Sequence, residues 1–342
     1  MADSALYFTA PRTVDHRSVS VDAAVDEVVV ETDASAISAG SELLVYRDEA
    51  PTELPVDETI EAFDDTFEYP LRYGYAAAGT VVETGSDVAD DWLDRTVFAF
   101  RPHQTRFAAD PDDLVVLPEG VSPAHGSLLP TVETATNLVL DSEPRLGESV
   151  AVFGAGVVGL CTTRLLSAFP LDELVVVEPI PARREAATAM GADRVLSPEA
   201  AAAELGDYDL ALELSGEPAV LNDAIDAVGY DARVVVGSWY GEKRAPIDLG
   251  GSFHRDRIDL VSSQVSTIDP ARRGRWDRQR RFDTAVEWLD RLDARCEIID
   301  GIDVGASVSR RLRWNSRIRP AESAVLDGLA IGFHPASVVE IQ

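Results

Sequence analysis

Three glycines follow a short apolar run in the middle of the chain. Gly154, Gly156 and Gly159 come directly after SVAVF, residues 149–153, and precede an apolar stretch that predicts a helix. In such a strand–helix turn the first glycine permits a tight bend and the second lets the backbone approach a pyrophosphate. The third glycine lets the helix pack close to the strand. A glycine pattern in this context predicts a dinucleotide-binding site.

The start of that helix and the end of the next strand supply the rest of the predicted site. Val157 and Val158 carry backbone N–H groups in the first helical turn, where phosphate oxygens bind. Glu178 closes the second apolar run, 22 residues after the middle glycine. Its carboxylate would accept hydrogen bonds from the adenosine ribose and repel a 2′-phosphate, which favours NAD over NADP. Arg183 would lie along the adenine or in solvent; with Arg184 it would hold a phosphate if Glu178 turned away.

Alternation of strands and helices predicts the fold around this site. Between residues 148 and 265, five apolar runs rich in β-branched residues alternate with helical stretches: SVAVF, ELVVVE, DLALEL, ARVVVGS and IDLVSS. Continuous apolar strands separated by helices are typical of a parallel sheet that is covered on both faces. The prediction is an α/β fold with a Rossmann, doubly wound parallel sheet.

The regions on either side have a different character. Residues 1 to about 120 carry short β-like runs between breaks rich in proline and glycine, which predicts a β-rich domain. The chain ends in another β-like run, SVVEIQ, after an amphipathic helix. We therefore predict a β-rich domain over 1–146, a dinucleotide-binding domain over 147–266, and a return to the first domain over 267–342.

The charge of the chain is strongly negative. Sixty Asp and Glu residues face 30 Lys and Arg residues, for a net charge of −30, and Lys243 is the only lysine. The acids are spread along the chain and 46% of residues are hydrophobic, which excludes an acidic tail and general disorder. We predict a protein adapted to a cytoplasm near molar salt, where the Debye length shrinks to roughly 3 Å. Without a basic patch, nucleic acid is excluded as a partner.

Other compositional features narrow the class of protein. No apolar run reaches the length of a membrane span, and the N-terminus lacks the pattern of a secretory signal, so we expect a cytoplasmic protein. The chain has two cysteines, Cys161 and Cys296, and no CxxC pair. Neither a disulfide framework nor a cysteine-rich structural zinc site can be built from them.

The order of these regions and several motifs resemble the medium-chain dehydrogenase/reductase superfamily over almost the full length. The stretches that carry the likeness are AAAGTVVETGSDV at 76–88, RLGESVAVFGAGVVGL at 145–160, VEPIPARREAATAMGAD at 177–193 and LELSGEPAVLNDAI at 212–225. The resemblance implies a GroES-like catalytic domain into which the Rossmann domain is inserted, with the active site in the cleft between them. It also implies hydride transfer to or from a small alcohol or carbonyl substrate.

The likeness breaks at the zinc ligands of this superfamily. Where its zinc-dependent members carry a cysteine, a GHE triplet and a further ligand, this chain has Ser38, Tyr75, Ala76 and Pro130. None of these binds zinc at neutral pH, so we predict no catalytic zinc. The SAISAGSE stretch and the Gly74-Tyr75 pair resemble the zinc-poor branch that includes bacteriochlorophyllide a dehydrogenase. An unusual metal site would have to use Glu42, His103 and Glu133.

Without a metal, a side chain must polarise the substrate carbonyl or accept the alcohol proton. By family position, Ser41 would touch the substrate oxygen and Tyr75 would replace the ligand histidine as acid and base. The alternatives are a turn hydroxyl and a pocket wall. His103 lines the cleft or lies in a surface loop, and Glu133 is a general base or an acid in a helix turn. Thr134 stands where relatives contact the nicotinamide.

The nicotinamide side of the site is predicted at the ends of two later strands. Ser215 follows DLALEL, and Gly237 and Ser238 end ARVVVGS. The function predicted is an NAD-dependent, metal-free dehydrogenase for a secondary alcohol or its ketone. A quinone or enone reductase and a silent NAD-binding redox sensor are the alternatives. Relatives commonly pair Rossmann edge strands, so a homodimer is an option that the sequence leaves open.

Overall fold

The computed structural model describes residues 3–51, 67–293 and 332–333. These residues divide into two compact units, one that ends at Pro130 and includes the strand at 332–333, and one that begins at Thr131. The division differs from the predicted one at 146 and 266, because the last described helix and most of the helix before residue 146 group with the second unit. The β-like run predicted at 337–342 lies outside the described residues.

The described part of the first unit contains antiparallel strands and two short α-helices. The strands are β1 Ser4–Ala10, β2 Thr13–Ser18, β3 Val28–Ala36, β4 Ala77–Thr84, β5 Thr96–Ala99, β6 Arg106–Ala109, β7 Val115–Val116 and β14 Gly332–Phe333. Strands β1 and β2 pair with each other, and β14, β3, β4, β5 and β7 form a second sheet in that order, with β6 beside β3. The helices are α1 Ser41–Arg47 and α2 Pro123–Gly126, and α3 Leu129–Ser142 begins at the boundary between the units.

Two clusters of buried side chains hold this unit together. One lies along the sheet, where Val30, Val81 and Val97 are completely buried. The other is partly aromatic and packs Leu44 of α1 against Phe8, Phe67, Leu71 and Tyr73. Tyr75 packs against this second cluster. The second cluster therefore fixes α1 beside the chain that leads into β4.

The second unit contains one parallel sheet with helices between its strands. Its strands are β8 Ser149–Phe153, β9 Glu173–Val177, β10 Arg194–Leu196, β11 Tyr208–Glu213, β12 Val228–Val236 and β13 Asp259–Ser262. Its helices are α4 Val157–Leu166, α5 Pro181–Ala189, α6 Pro198–Glu204, α7 Val220–Ala227, α8 Ser252–Arg255 and α9 Arg278–Asp293. The strand order is β10-β9-β8-β11-β12-β13.

The strand order confirms the predicted doubly wound sheet. The chain runs outward from β8 through β9 to β10 and then crosses back to β11 on the other side of β8. In such sheets ligands bind at the carboxyl ends of the strands, where the winding reverses. Val150, Val152, Leu210 and Leu212 are completely buried. Because these strands are covered on both faces, their sequences are continuously apolar rather than alternating.

None of the helices in the described ranges is long and apolar enough to cross a membrane.

Candidate active site

The glycine-rich turn joins β8 to α4. Gly154 has a φ of +103°, and a Cβ there would stand 2.8 Å from the backbone of Leu214. A Cβ at Gly159 would stand 2.0 Å from the carbonyl oxygen of Gly154. These two glycines are required by the turn itself and by the close contact of helix and strand.

Gly156 is different, because nothing described in the protein requires a glycine at this position. A Cβ there would meet no heavy atom of the described residues within 4 Å, and its φ of −68° suits any residue. Gly156 precedes α4, and no side chain in the described ranges caps this helix end. An open surface beside the first-turn N–H groups of Val157 and Val158 is suited to bind the oxygens of a pyrophosphate.

Glu178 follows β9 and is only 2% exposed. One carboxylate oxygen, Oε2, accepts a hydrogen bond from the backbone N–H of Ala155 at 2.8 Å, and Oε1 accepts one from Ile180 at 2.9 Å. Arg183 Nη1 stands 3.8 Å from Oε2, and Arg184 donates to the carbonyl oxygens of Glu178 and Pro179. Glu178 therefore ties the end of β9 to the glycine-rich turn, a task that sequence reasoning missed.

The turn after β11 is held by a buried carboxylate. Glu213 is completely buried, and its Oε1 accepts hydrogen bonds from the backbone N–H and the hydroxyl of Ser215. Its Oε2 accepts a hydrogen bond from the hydroxyl of Tyr240. Burial raises the pKa of Tyr240, and the contact with the Glu213 carboxylate raises it further. A Cβ at Gly237 would stand 2.5 Å from a methyl group of Leu138 on α3. Ser215 and Gly237 follow the carboxyl ends of the neighbouring strands β11 and β12.

Ser238 and the single lysine brace the same turn. The hydroxyl of Ser238 accepts a hydrogen bond from Gly216 N at 2.9 Å, and Lys243 Nζ donates to Gly216 O at 3.0 Å. The sequence predicted Ser215, Gly237 and Ser238 at this edge but neither Glu213 nor Lys243. The uniqueness of Lys243 was the one available signal for its role.

Glu133 lies on α3 and forms a buried ion pair. Its Oε1 accepts from Arg281 Nη2 at 2.7 Å and from Nε at 3.1 Å, and Arg281 Nη1 donates to Asn137 at 2.7 Å. Burial raises the pKa of Glu133, while Arg281 opposes that rise. The geometry favours the interpretation of Glu133 as a helix acid over that of a general base. Thr134, the next residue, is partly buried on the same helix.

Three hydroxyl groups converge in the first unit. Ser41 is the first residue of α1, and its Oγ lies 2.8 Å from the hydroxyl of Tyr75. Ser41 Oγ also donates to Ser38 Oγ at 3.1 Å. The Tyr75 ring makes an edge contact with Tyr73, with ring centroids 6.2 Å apart. The structure thus brings the two predicted catalytic hydroxyls of Ser41 and Tyr75 together.

His103 is buried rather than exposed in a loop, with 1% of its surface accessible. Its Nε2 lies 2.7 Å from Glu42 Oε2, and its Nδ1 lies 2.5 Å from Ser35 Oγ. Glu42 and Ser35 are equally buried. The sequence analysis grouped Glu42 and His103 only as members of an unusual metal site with Glu133. It did not predict a direct hydrogen bond between them, and it gave no role to Ser35.

In the part of the chain that the structure describes, no group of three or more histidine, cysteine or acidic side chains is arranged to hold a metal ion. The positions that match the zinc ligands of relatives carry Ser38, Tyr75, Ala76 and Pro130. Ala76 and Pro130 are buried. Ser38 and Tyr75 both form hydrogen bonds with Ser41, in the set of three hydroxyls described above.

Known proteins resemble this chain in sequence and in fold. The family model described as zinc-binding dehydrogenase matches residues 157–290. The chain is 28% identical to (R,R)-butanediol dehydrogenase of Bacillus subtilis over 67% of its length and 73% of that protein. It is 24% identical to D-guloside 3-dehydrogenase of Escherichia coli over 68% of its length and 70% of that protein. The crystal structure of 2R,3R-butanediol dehydrogenase from Bacillus subtilis matches with a TM-score of 0.66 at 21% identity, covering 84% of this chain and 88% of that one.

These matches extend over both units of the fold and agree with the doubly wound sheet and its glycine-rich turn. We conclude that the chain is an oxidoreductase that is similar to the zinc-binding dehydrogenases of the medium-chain dehydrogenase/reductase superfamily.

Proposed function

We propose that this protein is an NAD(H)-dependent dehydrogenase that interconverts a secondary alcohol and its ketone without a metal ion. The observation that carries the proposal is the pair of hydroxyls of Ser41 and Tyr75, 2.8 Å apart, in which Tyr75 takes a position that carries a metal ligand in zinc-dependent relatives. Relatives named as dehydrogenases of butanediol and of a guloside support a substrate of the alcohol class. The substrate itself is a small molecule that carries one such hydroxyl or carbonyl group.

The dinucleotide-binding turn fits the proposed cofactor. Val157 and Val158 would hold the pyrophosphate by their backbone N–H groups, with Gly156 leaving room beside them. Glu178 would accept from the ribose hydroxyls, and its negative charge would disfavour the 2′-phosphate of NADP. When bound, the nicotinamide supplies the hydride acceptor or donor. Thr134, Ser215, Gly237 and Ser238 would position that half of the cofactor.

The proton that accompanies hydride transfer must be handled by the protein. In ketone reduction, the substrate oxygen would replace Ser38 Oγ as the acceptor of the Ser41 hydroxyl, and Tyr75 would donate its phenolic proton to the same substrate oxygen. In alcohol oxidation Tyr75 would start as the phenolate that ketone reduction leaves behind and would take up the alcohol proton. The pair can serve both directions because Tyr75 alternates between phenol and phenolate, while Ser41 keeps its proton and only donates a hydrogen bond.

The test is turnover in molar KCl with NADH or NADPH and a panel of ketones, enones and quinones, with and without a chelator. We expect ketone reduction with NADH that is unaffected by the chelator. Tyr75→Phe should lower kcat by about 10²-fold or more, the usual contribution of acid–base catalysis. NADH affinity measured by calorimetry should stay within about twofold.

Tyr46→Phe is the matched control, because Tyr46 packs against the same partly aromatic cluster. This substitution removes one hydroxyl that does not belong to the pair of Ser41 and Tyr75. It should retain full activity. Loss of turnover with the chelator would exclude the metal-free reaction, full activity of Tyr75→Phe would exclude its acid role, and absence of heat with both cofactors would exclude the dehydrogenase.

A further inference from the structure

Behind the proposed hydroxyl pair lies a group of polar side chains that the proposed reaction does not use. Ser35, Glu42 and His103 are each at most 1% exposed, and His103 contacts both of the other two side chains. Burying two ionisable groups costs free energy that well-packed apolar side chains in the same space would not. The arrangement therefore calls for an explanation beyond stability.

The hydrogen bonds fix where the protons of this group stand. Ser35 Oγ donates to the carbonyl oxygen of Ala76 at 2.8 Å, and a carbonyl can only accept. Since Ser35 has a single hydroxyl proton, its contact with His103 Nδ1 requires the proton to be on Nδ1. The 2.7 Å contact between His103 Nε2 and Glu42 Oε2 then holds one further proton. Whichever atom carries it, the histidine and the glutamate together have no net charge.

The same group contacts the chain on both sides of the proposed hydroxyl pair. Glu42 Oε1 accepts from Ser38 N at 3.1 Å, and Ser38 Oγ accepts from the backbone N–H and the hydroxyl of Ser41. Glu42 also follows Ser41 directly in α1. The carboxylate thus fixes the turn that aims Ser41.

Tyr75 is fixed from its two neighbours in sequence. A Cβ at Gly74 would stand 2.6 Å from His103 Nε2, so the imidazole ring lies directly against the backbone of Gly74. On the other side, the carbonyl of Ala76 accepts the hydroxyl proton of Ser35. His103 and Ser35 therefore hold the residues before and after Tyr75.

We infer that Ser35, His103 and Glu42 form a buried positioning network, joined by one shared proton, that holds Ser41 and Tyr75 at hydrogen-bond distance. This inference rests on the proposed function for the role of Tyr75, but not for the proton positions. Its members act through Ser41 and Tyr75 and do not touch the substrate. Hydrogen bonds would here provide the fixed geometry that bound zinc and its ligands provide elsewhere.

The proton positions are tested by nitrogen NMR of protein with ¹⁵N-labelled histidine in molar KCl. The chain has five histidines, and His103→Gln identifies the signals of His103 by their loss. We expect a proton bonded to Nδ1 and a second, strongly downfield proton in the contact with Glu42. Glu42→Gln should remove the downfield signal and leave the Nδ1 proton in place. An unprotonated Nδ1 in the unaltered protein would overturn the inference, and this arm needs no variant to fold except for assignment.

The positioning role is tested by a double-mutant cycle. We expect Glu42→Leu to lower kcat by about tenfold or more, with NADH affinity within about twofold, because a leucine can neither accept from Ser38 N nor form a hydrogen bond with His103. Ser41→Ala with Glu42→Leu should be no slower than Ser41→Ala alone, since Glu42 acts on the reaction through Ser41. If the losses of kcat in the two single variants multiplied in the double variant, the network would have only a structural role and the inference would be overturned.

Thr32→Val is the matched control. Thr32 lies on β3 like Ser35, is 1% exposed, and its hydroxyl has no hydrogen-bond partner among the described residues. It should change neither kcat nor the histidine spectrum. If Tyr75→Phe were fully active while the two histidine protons were found as expected, the proposed acid would fail and the shared proton would stand.

Discussion

Arg281 shows how one buried side chain joins two helices of the second unit. It is 1% exposed and its guanidinium contacts Glu133 and Asn137 on α3 from its position on α9. Removing one partner of a buried ion pair leaves the other charged without compensation. The contacts of Arg281 with α3 help to explain why α9 groups with the parallel sheet rather than with the β-rich unit.

Arg281→Met should therefore lower the free energy of unfolding by about 3–5 kcal/mol, measured by denaturant titration in molar salt. Burial raises the pKa of Glu133 in the folded protein. Protonated Glu133 therefore stabilises the fold fully below the ordinary glutamate pKa of about 4.3, and this stabilisation is lost as the pH rises through the pKa of the folded state. Without Arg281 to oppose burial, that loss grows, so the deficit of the variant should shrink on acidification. Arg280→Met, an exposed neighbour on α9, should be nearly neutral, and equal losses in both variants would contradict the argument.

Tyr208 gives a second residue-scale prediction, in the alkaline range. Burial and a hydrogen bond to Glu173 raise its pKa to about 12, against about 10 in an unfolded chain. The stability from its protonated form is complete below about pH 10 and is lost as the pH rises through about 12. Tyr208→Phe should therefore lose less stability than the unaltered protein across that window. Parallel unfolding free energies in the two proteins would show that Tyr208 is not responsible.

At the scale of elements, the sequence predicts the parallel sheet well and the packing of its helices poorly. Buried strands such as β8 and β11 are continuous apolar runs, so local pattern identifies them. The edge strand β10 has three residues, too few for any pattern, and was missed. The amphipathic pattern of a helix such as α9 predicts that one face is buried, but it does not identify the sheet or helix against which that face packs.

The candidate site divides in the same way. The glycine-rich turn is encoded within a few neighbouring residues, so its motif was visible. The contacts of His103 with Ser35 and Glu42 span 68 and 61 positions in the chain and carry no local pattern. Only the folding of β3 and α1 beside the chain that precedes β6 brings them together.

The turn between β8 and α4 allows a comparison of two glycines in one element. Gly159→Ala should severely destabilise the protein, because its Cβ would stand 2.0 Å from Gly154 O. Gly156→Ala should leave the melting temperature unchanged, since its Cβ meets open space. We expect the latter to weaken NADH binding by about tenfold or more in calorimetry, because that space is where the pyrophosphate approaches. Unaltered affinity in Gly156→Ala would place the cofactor elsewhere.

At the scale of the whole molecule, the dominant property is a net charge of −30. The ion pairs of the described residues are formed almost entirely by arginine, as between Arg194 and Glu173 and between Arg233 and Glu148. Arginine binds carboxylates through several donors at once and covers apolar surface with its stem. These pairs neutralise only part of the acidic surface, so repulsion among the remaining carboxylates opposes the compact state.

That repulsion predicts a strong dependence of stability on salt. The Debye length falls from about 10 Å at 0.1 M to about 3 Å at 1 M, so neighbouring surface carboxylates are screened from one another only at high salt. We expect the melting temperature to rise by more than about 10 °C between about 0.1 M and 2 M KCl and then to level off, because screening is complete once the Debye length is shorter than the spacing of the charges. Sucrose at matched osmolality separates screening from general exclusion of solute from the surface, and should give a smaller rise. A melting temperature that is the same at both KCl concentrations, or that sucrose raises equally, would show that the acidic surface does not set the stability of this protein.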